Sequence, residues 1–313
     1  MGVFDDIQAR LGKGFDAAMD AAGKGFDAAA SATNKALVTR APFIQAFIHL
    51  CDDGWLQGWH ERNGGNLTYR MTEEDVAKVR GGFDSEPRAW VDLGFSEPTL
   101  ANAYFLITGS GAYMHNVSAS PIENIGIVEM NEAGSAYRVV WGLVNRKPTS
   151  ELPTHIMNHA IRMKATDGAC RVIYHAHTNN IIAMTFVEPL DARTFSRALW
   201  KAMTECVVVF PEGVGVVPWM VPGGNEIAKA TSEQMKSYPA VIWAQHGLFV
   251  SGADFDETFG LMHCIEKAAD IYFRARTMNG GSNEFLNTIT DEGLAQIGVE
   301  FNVKINKEFL DVQ

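Results

Sequence analysis

The sequence predicts an α/β protein in which a mixed sheet is flanked by helices. From Ala41 onward, segments with apolar residues every three or four positions alternate with short apolar runs bounded by glycine, proline or polar clusters. Several of the short runs follow one another before the first long central helix, which strict βαβ alternation would not produce. No linker interrupts residues 41–313, so we expect a single domain there.

The predicted elements follow in order along this domain. Helices are predicted for "PFIQAFIHLCDDGWLQGW", "PTHIMNHAIRMKAT", "ARTFSRALWKAM", "NEIAKATSEQMKS" and "DETFGLMHCIEKAADIYFRART". Strands are predicted for "GGNLTYRM", "AYFLITGSG", "IGIVEM", "YRVVWGLV", "CRVIYHAH", "CVVVFP" and "AVIWAQHGLFVSG".

Composition excludes some classes of protein. The formal net charge of −11 argues against a nucleic-acid-binding protein, because phosphate backbones require clustered Lys and Arg. The four cysteines are far apart along the chain and form no CxxC pair, which predicts reduced thiols in a cytoplasmic protein. Asp5 and Asp6 lie where a signal peptide needs positive charge. Glu212 and several prolines interrupt the most apolar stretch, so no membrane span is predicted.

Residues 1–40 form a predicted N-terminal helical extension. "GKGFDAA" occurs twice, eleven residues apart, and such a repeat gives a helical stripe of about 3.67 residues per turn. Each copy carries two glycines, which cost about 1 kcal/mol apiece in a helix relative to alanine, so the helix needs a partner surface. One interpretation is an arm packed on its own subunit or oligomer, or a partly disordered extension; the other is a helix that docks to another protein or to a membrane surface.

Two histidines lie one residue apart at the end of a predicted strand. Strand side chains alternate between faces, so His175 and His177 of "VIYHAH" point to the same side. Imidazole is a strong zinc ligand, and a catalytic zinc takes three protein ligands and leaves one position open. The alternative is two ordinary polar residues at a strand end. His246, beside Gly247 in a third β-rich segment, supplies a candidate third ligand.

A second histidine pair competes for the same function. His155 and His159 are four apart on one predicted helical face, a spacing that also suits zinc. Ile156 stands where a zinc protease of the HExxH type would have its glutamate, so we expect ordinary helix residues.

Two acidic residues are candidates for catalysis. Glu151 lies at a predicted helix start, either as a capping-box carboxylate with Thr149 or Ser150 as the cap, or as a base at the mouth of a site. Glu205 directly precedes an apolar predicted strand, where a charge is costly unless it faces a site or an interface.

Three polar, glycine-containing segments have the residues of an anion site. They are "RNGGN" (62–66), "TGSG" (108–111) and "TSE" (149–151), which offer backbone amides and hydroxyls, but ordinary turns contain the same residues. Neither a dinucleotide-binding glycine pattern nor GxxxxGK[ST] occurs, which disfavours Rossmann and P-loop proteins.

Taken together, these segments resemble a known family. "GWHERNGGNLTYR", "TGSG", "WGLVNRKPTSELPTH", "VIYHAHTNNIIAMT", "TECVVVFPEGVGVVPWMVPG" and "HGLFVSG" are similar, in collinear order from Pro42 to Arg276, to the bacterial L-rhamnulose-1-phosphate aldolases of the zinc-dependent class II aldolase/adducin superfamily. The resemblance implies a three-layer α/β/α sandwich with a central mixed, largely antiparallel sheet, and a homotetramer with active sites between subunits.

The resemblance also implies a reaction and the residues that perform it. The reaction is reversible cleavage of L-rhamnulose 1-phosphate to dihydroxyacetone phosphate and L-lactaldehyde through a metal-stabilised enediolate. One Zn²⁺ per subunit would be held by His175, His177 and His246, with Glu151 as general acid/base and Glu205 reaching a neighbouring subunit's site. The implied phosphate-binding residues are Asn63, Gly65, Asn66, Ser110, Thr149 and Ser150.

Some features depart from that family or leave its reaction open. The extension is not part of the family pattern, and Ala112 stands after "TGSG" where some relatives carry a basic residue, so neutral groups are expected to hold the phosphate. L-fuculose-1-phosphate aldolase and L-ribulose-5-phosphate 4-epimerase of the same superfamily remain alternatives. So does a non-catalytic adducin-like binding module, although such modules lack the three histidines.

Overall fold

A nine-stranded mixed sheet forms the centre of the protein, as seen in a computed structural model that describes residues 37–312. The strands are β1 (Asn66–Arg70), β2 (Val91–Asp92), β3 (Tyr104–Thr108), β4 (Ile125–Met130), β5 (Ala136–Gly142), β6 (Val172–Ala176), β7 (Gly215–Val217), β8 (Ala240–Trp243) and β9 (Gly247–Gly252). They are arranged in the order β2-β5-β4-β3-β1-β6-β9-β8-β7. All neighbours are antiparallel except β7 and β8, so the predicted largely antiparallel sheet is confirmed.

Helices cover both faces of the sheet. They are α1 (Pro42–Leu56), α2 (Glu73–Val79), α3 (Pro121–Asn124), α4 (Leu152–Ala165), α5 (Asn179–Met184), α6 (Ala192–Ala202), α7 (Glu205–Val209), α8 (Asn225–Met235), α9 (Phe255–Met278) and α10 (Asp291–Glu300). None of the helices within residues 37–312 combines the length and the apolarity that crossing a bilayer demands.

The alternation of side chains in β6 shows the three layers. Tyr174 belongs to the core formed with α1, α6 and α9, whereas its neighbour Ile173 belongs to the core formed with α8 on the opposite face. A further cluster on that second face packs α4 against β3, β4 and β5. The three-layer α/β/α sandwich is confirmed.

The predicted strand "CVVVFP" is wrong. Residues Glu205–Val209 form the short helix α7, in which Cys206 and Val207 are buried and Val209 is exposed. Three consecutive valines favour a strand by local preference, but here only part of the run faces the core. Helix α10, which is capped by the side chain of Thr290, was not predicted.

The fold also brings together residues that are remote in sequence. The sulfur atoms of Cys206 in α7 and Cys264 in α9 lie 3.9 Å apart, although 58 residues separate them. The predicted N-terminal extension, with its eleven-residue repeat, lies outside the described residues except at its last positions.

Strand directions place the candidate site at one end of the sheet. β1 starts where its antiparallel neighbours β3 and β6 end, and β9 starts beside the end of β6. The segments that precede β1 and β9 and follow β3 and β6 therefore meet at the same end.

Candidate metal centre and active site

Three histidines converge at this end of the sheet. His175 lies in β6, His177 follows that strand, and His246 lies in the turn between β8 and β9. Their ring centroids are 5.1, 5.0 and 4.9 Å apart, and one potential ligand atom from each lies within 4.8 Å of the others. The structure thus brings the three predicted ligands together.

The proton arrangement of His175 fits a metal ligand. Its Nδ1–H donates to the carbonyl oxygen of Leu248 at 3.1 Å, so Nε2 carries the lone pair. That Nε2 is buried without a hydrogen-bond partner. Burial, with His177 and His246 nearby, holds the pKa of His175 well below its ordinary value. A neutral ring with a buried, unused lone pair fits a divalent metal such as zinc.

His177 is oriented by a carboxylate. Its Nδ1 lies 2.6 Å from Oε1 of Glu61, which directs the other ring nitrogen away from Glu61. A histidine held in this way by a carboxylate is the usual arrangement of a metal ligand and its supporting group. Burial lowers the pKa of His246 to about 4, so this third ring is also neutral at physiological pH.

The turn that carries His246 depends on close packing against β6. A Cβ at Gly247 would lie 2.4 Å from the carbonyl oxygen of Ala176 and 3.0 Å from Cε1 of His175. The left-handed residue of the turn is Gln245, with φ of 54°. The side-chain amide of Gln245 donates to Thr185 O at 3.0 Å and fixes the turn. Gly247 therefore allows the close approach to β6, while Gln245 makes the turn.

Glu151 is turned into the protein instead of capping a helix. It is the residue before α4, its side chain makes no capping bond, and its Oε2 lies 3.8 Å from Nε2 of His175. Asn66 donates a hydrogen bond of 2.8 Å to the same oxygen. Burial raises the pKa of Glu151, while Asn66 and His177 act in the opposite direction. The capping-box interpretation is wrong, and the carboxylate lies beside His175.

A carboxylate from another helix caps α5. Thr178 is the residue before this helix but makes no capping bond, and its hydroxyl is buried without a partner. Oxygens of Glu266 in α9 instead accept from the backbone amides of Asn180 and Ile181 at 2.8 and 3.0 Å. These two hydrogen bonds connect the segment after His177 to the long helix α9.

The competing pair, His155 and His159, does not belong to the cluster of candidate metal ligands. Both rings are fully buried in α4 and both bond to the hydroxyl of Thr68, at 2.7 and 2.8 Å. Burial lowers the pKa of His155 to about 3 and that of His159 well below its ordinary value. Among residues 37–312, the only cluster with metal-ligand geometry is the one at His175.

The three predicted anion segments meet beside the histidines. Ser110 N–H donates to Lys147 O at 2.8 Å, and Thr149 N–H donates to Thr108 O at 3.0 Å, which places "TGSG" next to "TSE". Leu67 N–H donates to the Thr108 hydroxyl at 3.2 Å, which brings "RNGGN" to the same place. Asn63, Ser110 and Ser150 are exposed, whereas Thr149 is buried.

Two details of these segments were not predicted. The side chain of Asn66 is only 6% exposed and is engaged by Glu151 and His155. Nη1 of Arg146 donates to Ser110 O at 3.3 Å, so a guanidinium lies at the turn where only neutral groups were expected. The dipeptide Arg146-Lys147 before "PTSE" was the sequence signal for this charge.

Glu205 lies away from the histidines of its own chain. It is exposed at the start of α7, and its negative charge acts on the thiols of Cys206 and Cys264. In the described part of the chain, no hydrogen bond or ion pair joins Glu205 to His175, His177 or His246.

The comparison with a known family covers most of the domain. Residues 45–273 match the family described as "Class II Aldolase and Adducin N-terminal domain". The chain is 45% identical over 267 residues to the rhamnulose-1-phosphate aldolases of Shigella sonnei and of Escherichia coli O7:K1, and the alignment covers 85% of this chain and 96% of each relative.

Solved structures with the same fold include a sugar-phosphate aldolase from Thermotoga maritima. Its TM-score is 0.63 at 28% identity, with 76% of this chain and 95% of that chain covered. An L-fuculose-1-phosphate aldolase from Thermus thermophilus has a TM-score of 0.52 at 20% identity, with 79% and 100% covered, which is a likeness of fold.

Proposed function

The chain belongs to the class II aldolase and adducin family as a class II aldolase, a carbon–carbon lyase, and from that premise we propose that it reversibly cleaves L-rhamnulose 1-phosphate to dihydroxyacetone phosphate and L-lactaldehyde. The observation that carries this proposal is the convergence of three histidines and a buried carboxylate at one end of the sheet. The names of the 45% identical relatives support the choice of sugar phosphate.

The enzymes of this family depend on a metal, and we assign Zn²⁺ to the cluster of His175, His177 and His246. Three nitrogen ligands with one coordination position left for water or substrate are typical of catalytic zinc. When bound, the ion supplies Lewis-acid stabilisation of the negative charge that develops on the oxygens of the sugar. A Schiff-base lysine is then not needed.

Glu151 is the proposed general acid/base. Its carboxylate lies 3.8 Å from the ring of His175, next to where the substrate oxygens would bind, and burial raises its pKa, which makes it a better proton acceptor. In the cleavage direction the carboxylate accepts the proton of the reacting hydroxyl. Positioned proton transfer of this kind contributes about 10²- to 10⁴-fold to the rate.

The proposed phosphate site lies where the three turns meet. Backbone amides of "RNGGN" and "TGSG" and the hydroxyls of Ser110, Thr149 and Ser150 are the proposed donors, with Asn63 and Gly65 at the entrance. Arg146 adds a positive charge beside Ser110. We assign the backbone of Asn66 to this site, since its side chain is engaged by Glu151.

A homotetramer with active sites between subunits is part of the proposal. Exposed apolar residues follow the elements that end beside His246: Phe186 and Val187 after α5, and Trp219 and Val221 after β7. A second subunit covering these side chains would remove a large apolar area from water. We assign Glu205 to the site of a neighbouring subunit, as the resemblance implies, and its exposed position at the start of α7 leaves it accessible to one.

Residues 1–40 are proposed as an extension separate from the aldolase domain at 41–313. Deletion of residues 1–38 tests its function. Unchanged assembly and activity with altered cellular location or partner binding would support a docking helix, whereas loss of the tetramer in light scattering would support an arm within the oligomer. The cytoplasmic location stays a prediction from the sequence.

An assay with three sugar phosphates tests the reaction. We expect cleavage of L-rhamnulose 1-phosphate, loss of it with a chelator and recovery with Zn²⁺, and weaker or absent turnover of L-fuculose 1-phosphate and L-ribulose 5-phosphate. Glu151→Ala should lower turnover about 10²- to 10⁴-fold while zinc stays bound. Preference for another sugar would replace the substrate, and a protein that binds no divalent metal would support an adducin-like binding module.

A further inference from the structure

A row of buried polar groups leads from Glu151 into the core. Nδ2 of Asn66 donates to Glu151 at 2.8 Å, and Oδ1 of the same amide contacts Nε2 of His155. Nδ1 of His155 lies 2.7 Å from the hydroxyl of Thr68, which lies 2.8 Å from Nε2 of His159. Asn66, Thr68 and both histidines are each 6% exposed or less.

The hydrogen-bonding capacity of each group fixes the direction of every bond when Glu151 is ionised. A carboxylate only accepts, so the amide of Asn66 presents its NH₂ to Glu151 and its oxygen to His155. His155 is a neutral imidazole with one donor, and that donor has to be Nε2–H. Its Nδ1 then accepts from the hydroxyl of Thr68.

The last bond follows by the same rule. Because the hydroxyl hydrogen of Thr68 is used toward His155, its oxygen accepts from Nε2–H of His159. The remaining nitrogen of His159, Nδ1, is then bare, and it is buried without a partner in the structure. The row thus points from His159 through Thr68, His155 and Asn66 to Glu151.

We propose that His155, Thr68 and His159 are positioning residues that hold the amide of Asn66 with its NH₂ toward Glu151, and thereby orient the carboxylate for proton transfer. This inference rests on the proposed function of Glu151. Asn66 alone does not determine which end of its amide faces the carboxylate, because the two ends are similar in shape. Rotated by 180°, its carbonyl oxygen would face Glu151 and repel it.

The row can also run in the opposite direction. If Glu151 carried a proton and donated it to Asn66, every bond would reverse, and the row would end at an Nδ1–H of His159. No acceptor for that hydrogen exists around Nδ1 in the described part of the chain. In either direction Nδ1 of His159 is buried without a partner, at a cost of about 1–3 kcal/mol, so the direction of the row follows the protonation of Glu151.

Neutron diffraction from crystals of the metal-loaded enzyme tests the arrangement directly, because it locates exchanged deuterium atoms. We expect deuterium on Nε2 of both histidines, none on either Nδ1, and the Thr68 hydroxyl directed to His155. Deuterium on Nδ1 of His155 would overturn the proposal. This measurement needs no turnover, so it stands even if the enzyme cleaves another substrate.

Variants test the effect on catalysis. His155→Leu should lower kcat about 10²-fold with KM for the sugar phosphate and metal content nearly unchanged, because the carboxylate loses its orientation and the substrate contacts remain. His155→Gln, whose amide can donate to Asn66, should recover most of kcat. An unchanged kcat in folded His155→Leu protein, or no recovery with glutamine, would contradict the proposal.

Asn158→Leu serves as the matched control. Asn158 is fully buried in the same helix, but its Oδ1 accepts from Ser232 at 2.9 Å, away from the row. This variant should lose stability and keep its kcat. An equal fall of kcat in both variants would mean that damage to α4 explains the effect, and positioning would be rejected. Inactivity of the unmodified enzyme toward every sugar phosphate would instead count against the proposed function.

Discussion

Glu61 and His177 are joined by a bond of 2.6 Å between Oε1 and Nδ1, and 116 residues of chain separate them. Glu61 precedes the "RNGGN" turn, so the same segment that contributes to the proposed phosphate site also orients a proposed metal ligand. The geometry of one site thus depends on that of the other.

Glu61→Gln should weaken metal binding by about 10- to 100-fold, because the charge that supports the basicity of His177 is removed. Competition with a chromophoric chelator measures the affinity. Exposed Glu300 in α10 offers a control, and Glu300→Gln should bind metal as the unmodified protein does. Equal affinities for the two variants would show that Glu61 does not act on the metal.

His246→Ala should abolish stoichiometric metal binding and lower the melting temperature measured with saturating Zn²⁺. A ligand present at 100 times its Kd stabilises the folded state by about 2.7 kcal/mol, and the variant lacks this stabilisation by bound metal. Without metal, the variant and the chelator-treated protein should melt at similar temperatures. Retention of one tightly bound ion per chain would remove His246 from the ligand set.

Gly65→Ala should lower the free energy of unfolding far more than Gly58→Ala. Both glycines have positive φ, of 75° and 77°, and an alanine there costs about 1–2 kcal/mol. A Cβ added at Gly58 would meet open space, whereas at Gly65 the added atom would lie 2.3 Å from Nδ1 of His60 and 2.8 Å from His175 O. Urea unfolding compares them, and similar losses of unfolding free energy would show that the contact at Gly65 relaxes freely.

Asp291 should make stability depend on pH in the acid range. Burial alone would raise its pKa, but Lys201, the Asp311 amide and Arg197 outweigh burial and hold the pKa well below its ordinary value. The stabilisation is therefore present above the ordinary pKa, near 3.9, and is lost as pH falls through the lower folded-state value.

The test for Asp291 is denaturant unfolding of Asp291→Asn at two pH values. The variant should be less stable at pH 7 by about 1–3 kcal/mol, and the difference should shrink below about pH 3. Exposed Asp256 in α9 is a control position for a neutralised carboxylate. A difference that stays constant down to the acid limit would mean that packing, and not charge, holds Asp291.

Much of the fold could be predicted from local patterns. The short apolar runs at β3, β4 and β6 and the apolar stripes of α1, α4 and α9 agree with the structure. The run of valines after Glu205 was misassigned because periodicity does not distinguish a short apolar helix from a strand. A shared site could be predicted for His175, His177 and His246, because side chains two apart on a strand point to the same face and all three residues lie at predicted strand ends.

The groups that support the site could not be predicted in the same way. Glu61 contacts His177, and Arg146 lies beside Ser110. In both cases the fold brings together loop segments that are distant in sequence. His155 was expected to be an ordinary helix residue, and its bond to Asn66 depends on how α4 packs over β1. Such contacts are set by tertiary structure and leave no periodic signal in the chain.

The location of β6 in the sheet has a consequence for metal exchange. This strand is hydrogen-bonded on both sides, to β1 and β9, and His175 lies in its interior. The backbone that carries this ligand cannot open unless the centre of the sheet opens with it. Loss of a bound ion should therefore leave the backbone at His175 in place, so that this ligand needs no refolding of the strand to bind a new ion.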